Sequence, residues 1–465
     1  MTKPAKSKTK VSYVCTACGA TSPRWLGKCA ECGAWNTLEE QLVRPRAHAP
    51  AAGREGPRGP SKSVPLGEVE SGDARRLPTG IGELDRALGG GPVVGGVVLL
   101  GGDPGIGKST LLMQALAALA DQGRGTLYVT GEESASQVAM RAERLGVPGV
   151  RDVRILATTD LDDVKATLHA DRPDVAVIDS IQTLRWAELE VSTGSATHLR
   201  AITEQLVEWA KRDGVSLFLI GHVTKEGAIA GPKVLEHLVD TVLSFEGDRS
   251  HAFRLVRATK NRFGPAHEVG VFEMVREGLR EVPEPSALFL AERPARASGS
   301  VVVPTAEGTR PLLVEVQALV APAMYGGARR VASGLDANRL AILLAVLDRK
   351  AGVHILDQDV FASVAGGAKV DERALDLALA AAVVSSFRGV PVPPDLAIFG
   401  EVGLAGEVRA VPRPAPRVAE ARKLGFKRIL LPALSFEMLS PKEREGAQLF
   451  PVRSLEEALE LALGR

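Results

Sequence analysis

Gly102-Asp103-Pro104-Gly105-Ile106-Gly107-Lys108-Ser109, followed by Thr110, forms one uninterrupted G-x-x-x-x-G-K-S run. Residues 97–100 before it are apolar and β-branched enough for a buried strand, and residues 110–120 after it are rich in Leu and Ala, as a helix requires. A polyphosphate bound here would meet a helix N-terminus. Gly105 and Gly107 let backbone N–H groups turn inward around it, Lys108 can reach its β and γ oxygens, and Ser109 can hold magnesium. The run therefore predicts a nucleoside triphosphate site, with ATP and Mg as its occupants.

Strand-like and helix-like stretches alternate outward from this loop. Strands are expected at 126–130, 153–156, 175–178, 215–220, 241–245, 253–259 and 269–275, and helices at 109–121, 134–145, 161–169 and 198–212. Alternation implies a mostly parallel sheet covered on both faces, and the last strands, with no helices between them, suit antiparallel pairing. Asp179 ends an apolar strand, where a carboxylate would orient hydrated magnesium. Another strand ends in Gly131, Glu132 and Glu133. Hydrolysis needs a base that polarises water, and Glu132 is the first candidate with Glu133 the second. His222, at the end of the strand expected at 215–220, reaches the same carboxyl edge, where ligands of open α/β folds collect and a histidine can sense the γ-phosphate. Lys260 and Arg262 sit two apart in an extended stretch and so face one way, as a pair of cations suited to a triphosphate, to a DNA backbone or simply to solvent.

The chain has 465 residues, enough for two sizeable domains and something smaller. Its 57 Lys and Arg against 56 Asp and Glu give a net charge of +1, so no global field draws it to nucleic acid or membrane. No apolar run approaches the ~20 residues that span a bilayer, residues 374–384 reading as a core helix, and Lys3, Lys6, Lys8 and Lys10 precede no apolar stretch. A cytoplasmic protein without membrane contact is expected.

All four cysteines, Cys15, Cys18, Cys29 and Cys32, lie in the first 32 residues as two Cys-x-x-Cys pairs. Four thiolates close a tetrahedral zinc shell with no open position, which implies structure and not catalysis, and zinc binding at about 10–16 kcal/mol can fold a segment too short to bury a core. A redox dithiol is the competing reading. The expected organisation is a zinc finger at 1–36, a Pro-, Gly- and Arg-rich linker at 37–62, an ATPase domain at 63–285 and a C-terminal domain at 286–465.

TGIGELD at 79–85, the three glycines 89–91, the phosphate loop, GEES at 131–134 and Asp179 resemble the RecA-like ATPases. The cysteine pairs and KNRFG at 260–264 narrow the resemblance to the bacterial RadA (Sms) family of DNA repair proteins, over nearly the whole chain. After residues 283–300, the stretches 317–319, 335–347, 374–391 and 400–408 are similar to the proteolytic domain of Lon. The implied fold class is α/β: a RecA-like P-loop ATPase core with a small four-Cys zinc module and a Lon-protease-like α/β domain.

That resemblance implies a DNA-dependent ATPase of repair and recombination, a hexameric ring that moves on single-stranded DNA and processes branched DNA, with the recombinase RecA as partner. It also implies that Lys260 and Arg262 act in trans as a finger pair, like that of DnaB-type helicases, and that His222 holds the place of the γ-phosphate sensor. Alignment with Lon puts Ala374 where the serine nucleophile would be and Arg417 where the lysine base would be, and neither can do that chemistry. An ATP-dependent peptidase and an autokinase of the KaiC type are the alternatives. Arg329, Arg330, Arg409, Arg413 and Arg417 are candidate DNA contacts.

Overall fold

The computed structural model describes residues 10–15, 21–22, 24–31, 33, 35, 37–43, 75–189, 191–222, 234–247, 253–294, 296–323, 327–365, 370 and 372–464. Near the N-terminus, β1 (Lys10–Cys15) pairs antiparallel with β2 (Thr21–Ser22) on one side and β3 (Leu38–Val43) on the other. Pairing of Lys10 with Val43 carries this sheet past residue 36, because all six residues of β1 take partners on β3.

The chain falls into two compact units, the first of which includes this N-terminal sheet. One comprises Met1–Ile81, Gly90–Leu243 and Lys260–Phe263, the other Gly82–Gly89, Ser244–Thr259 and Gly264–Arg465. Helix α1 (Gly82–Leu88) belongs to the second unit. In the first unit the chain alternates through β4 (Val97–Gly102), α2 (Lys108–Asp121), β5 (Thr126–Thr130), α3 (Ala135–Leu145), β6 (Arg154–Ala157), α4 (Leu161–Asp171), β7 (Val175–Asp179), α5 (Ala196–Asp213) and β8 (Ser216–His222). Short α6 (Val234–Leu238) and β9 (Thr241–Glu246) follow, and the strands stand in the order β9-β4-β8-β7-β5-β6. Strands β4, β5 and β7 are buried at every residue, the mark of parallel strands covered on both faces. Caps end the helices sharply: Ser134 and Gln137 form a capping box on α3, and Ser195 caps α5.

In the second unit, β10 (Phe253–Asn261, here through Thr259), β11 (Val269–Val275) and β12 (Gly278–Glu281) pair antiparallel. After α7 (Pro285–Phe289), the hairpin β13 (Ser300–Glu307) and β14 (Arg310–Pro322) sits inside a seven-stranded sheet with β15 (Arg330–Ser333), β16 (Gln358–Val364), β17 (Leu396–Ile398), β20 (Arg428–Pro432) and β21 (Gln448–Val452). The two-residue strands β18 (Glu401–Val402) and β19 (Val408–Arg409) pair separately. Helix α8 (Ala337–Lys350), the almost wholly buried α9 (Asp376–Arg388) and α10 (Pro414–Lys423) pack on this sheet's apolar side chains. Among the described residues, no helix is long and apolar enough to cross a membrane.

Candidate nucleotide site

Strand register brings the candidate residues of the first unit to one edge. Gly102 pairs with His222, Ile178 with Leu219 and Thr130 with Asp179, so the chain leaves β4, β8, β7 and β5 at adjacent points of the carboxyl edge. The loop from β4 enters α2 through Gly107, whose φ of 118° and ψ of 8° suit glycine. Lys108 is only 4 % exposed, and its Nζ donates to the carbonyls of Gly102 at 2.7 Å and Asp103 at 2.9 Å. Burial lowers the Lys108 pKa, and the charges of Asp179, Asp103 and Glu132 pull it back up. The ammonium is thus folded into its own loop, among carboxylates, with two neutral acceptors that an anion could replace.

Asp179 is 8 % exposed, and its Oδ2 accepts from the Tyr128 hydroxyl. The peptide bond from Asp179 to Ser180 is cis. The Ser180 hydroxyl donates to Glu132 Oε1 at 2.6 Å. Glu133 turns elsewhere: its Oε2 lies 3.0 Å from Arg141 Nη1, while its backbone N–H and carbonyl both bond the Thr130 hydroxyl. Gly131 passes so close to Thr183 that an added Cβ would lie 2.1 Å from its Oγ1, which is why the turn before the two glutamates needs glycine. Magnesium fits the donor set of the Ser109 hydroxyl and the Asp179 carboxylate, both hard oxygen ligands. Sequence reading passed over Tyr128, Arg141 and Ser180. The one available signal was the phenol itself, since a buried tyrosine hydroxyl calls for a partner.

Lys260 and Arg262 do share a side, and what lies on that side is the C-terminal end of α6. Lys260 Nζ donates to the carbonyls of Glu236 at 2.6 Å and Val239 at 2.9 Å, and Arg262 Nη1 donates to Asp240 Oδ1 at 3.1 Å. Asp240 is 2 % exposed, and its Oδ2 accepts from the Val97 N–H at 3.1 Å, at the start of β4. Burial first, then the neighbouring Arg262 charge, lowers the Lys260 pKa.

In the N-terminal module, Cys15 and Cys29 are buried in one cluster with Leu38, and Tyr13 packs on it. Cys15 Sγ lies 3.1 Å from Thr37 Oγ1. Cys18 and Cys32 lie outside the described residues. Trp25 and Trp35, by contrast, are exposed.

In the second unit, Ala374 is fully buried just before α9. Arg417 corrects one expectation. It is 1 % exposed, paired with Glu372 and bonded to the Pro304 carbonyl at 2.8 Å and the Pro412 carbonyl at 3.1 Å, so it cannot reach DNA. Arg329 and Arg409 are exposed but ion-paired with Asp359 and Glu407, Arg330 is bonded to the carbonyls of Gln358 and Leu356, and Arg413 is bonded to the Thr309 carbonyl.

A parallel sheet carrying a glycine-rich loop, a buried lysine and carboxylates at its carboxyl edge defines a P-loop ATPase, and residues 68–228 match the family model described as AAA domain. Residues 13–40 match a rubredoxin metal-binding domain, which implies zinc, and residues 341–435 match the ChlI subunit of Mg-chelatase. The chain is 52 % identical over 456 residues to the DNA repair protein RadA of Pseudomonas aeruginosa, covering 98 % of this chain and 99 % of that one. It is 49 % identical to RadA of Escherichia coli K12, covering 97 % and 98 %, and 46 % identical to RadA of Bacillus subtilis 168, covering 98 % and 100 %. The chain belongs to the RadA family of DNA repair proteins, and its fold is the α/β class the sequence implied, with a zinc ribbon before the ATPase core and a ChlI-like domain after it.

Proposed function

We propose that the chain is a DNA-dependent ATPase of DNA repair and recombination that works as an oligomeric ring on single-stranded and branched DNA. The observation that carries the reading is the convergence of Lys108, Asp179 and Glu132 at one sheet edge, in a chain whose relatives are named for DNA repair. ATP enters the loop formed by Gly102, Asp103, Pro104, Gly105, Ile106, Gly107, Lys108, Ser109 and Thr110, and Lys108 exchanges two carbonyl partners for β- and γ-phosphate oxygens. Magnesium, when bound by Ser109 and Asp179, neutralises charge on those oxygens.

Glu132 polarises the attacking water. Its carboxylate is steadied by Ser180 beside Asp179 and lies within electrostatic reach of Lys108, whereas Glu133 is committed to Arg141. His222 senses the γ-phosphate from the end of β8. Lys260 and Arg262 serve the triphosphate of a neighbouring chain, releasing the α6 carbonyls and Asp240 for a stronger anionic acceptor. The boundaries 63–285 and 286–465 delimit the motor and the C-terminal domain. That domain is no peptidase, because Ala374 has no nucleophilic atom and Arg417 is a buried cation held by Glu372.

ATP turnover measured with and without single-stranded DNA over a range of salt tests this reading. Turnover rises with DNA at low salt and the rise fades as salt is added, because phosphate contacts release counterions. Turnover indifferent to DNA at low salt would overturn the motor assignment.

A further inference from the structure

One of the two residues proposed to hold magnesium, Asp179, is bonded by a buried phenol. Tyr128 stands in the middle of β5 with no exposed surface, and its hydroxyl donates to Asp179 Oδ2. The phenol oxygen accepts from Arg141 Nη2 at 3.0 Å. Arg141 in turn holds Glu133 at 3.0 Å, so Glu133, Arg141, Tyr128 and Asp179 form one bonded chain. The remainder of β5 is Thr, Leu, Val and Thr, and phenylalanine would fill the same space. The hydroxyl is the part that packing does not require.

We infer that Tyr128, braced by Arg141, is a positioning residue for the magnesium ligand Asp179. The inference rests on the reading that Asp179 holds the ion. A carboxylate has two oxygens; with Oδ2 occupied by the phenol, Oδ1 is left to face the ion or its water. The hydroxyl therefore sets the orientation of this ligand, as outer-shell partners do in metal sites.

The test is equilibrium binding of a fluorescent ATP analogue to the full chain, titrated with Mg²⁺ and repeated in EDTA, for the parent, Tyr128→Phe, Arg141→Met and Asp179→Asn. Tyr128→Phe raises the Mg²⁺ concentration at the titration midpoint about ten- to hundredfold, the usual cost of losing an outer-shell partner, while binding in EDTA is unchanged. Arg141→Met shifts the midpoint in the same direction and decides the matter should Tyr128→Phe not fold. If Asp179→Asn shifts the midpoint and neither other variant does, Tyr128 has no positioning role and the magnesium reading stands. If Asp179→Asn shifts nothing, both are overturned. Equal weakening by Tyr128→Phe in EDTA and in Mg²⁺ would make the residue a packing element only and would also sink the inference.

Discussion

Replacing each of the two adjacent glutamates by glutamine separates their roles. In Glu132→Gln the amide oxygen can still accept from the Ser180 hydroxyl, which now lies 2.6 Å from Oε1, so the turn is kept and only the basic oxygen is lost. Loss of a general base costs about 10²- to 10⁴-fold in rate. At 1.36 kcal/mol per factor of ten, that is about 3–5 kcal/mol of transition-state stabilisation. In Glu133→Gln the loss is an ion pair to Arg141 whose side chains are 39 % and 18 % exposed, an interaction worth about 0–1 kcal/mol. Such a loss changes turnover by about fivefold at most. The assay is phosphate release at saturating ATP and single-stranded DNA, with analogue binding measured in parallel to establish that both variants still load nucleotide. A deeper loss in Glu133→Gln than in Glu132→Gln would refute the assignment, as would a Glu132→Gln enzyme that turns over at nearly the parental rate.

Other outcomes follow from the same geometry. Glu372→Ala strands the 1 % exposed Arg417 guanidinium without its charge partner and costs about 3–5 kcal/mol in urea unfolding; Arg417→Met costs less, because Glu372 is 23 % exposed and can turn to water. Equal costs would argue against the burial asymmetry. Cys29→Ser loses zinc as measured by atomic emission, and an unchanged metal content would count against the four-thiolate shell. Lys260→Ala impairs turnover only in assembled rings, and mixing it with Lys108→Ala restores part of the activity, since each supplies the half-site the other lacks. Mixtures no more active than their components would remove Lys260 from its neighbour's pocket.

The parallel strands were the most legible part of the fold. β4, β5 and β7 are buried on both faces and so read as unbroken apolar runs, and the observed spans match the expected ones within two residues. The five residues of α6 carry too little periodicity to announce a helix, and without α6 nothing along the chain says what Lys260 and Arg262 face. β1 and β3 went unread because KVSYVC and LEEQLV mix charged and apolar residues, and their pairing joins segments on either side of the cysteine loops. Tyr128 and Asp179 lie 51 positions apart, and Arg417 and Glu372 lie 45 apart. No local spacing encodes such contacts. A charged residue near the start of a helix that opens on proline looks like surface until the fold closes over it.

Lys108→Ala is the most direct test of the claim that the triphosphate lies in the 102–109 loop with this lysine as its charge partner. Removing the amine takes a donor from the Gly102 and Asp103 carbonyls, and a cooperative thermal unfolding transition establishes that the variant is folded. ATP turnover falls to background with or without DNA. A folded Lys108→Ala protein that hydrolyses ATP at the parental rate would contradict the account.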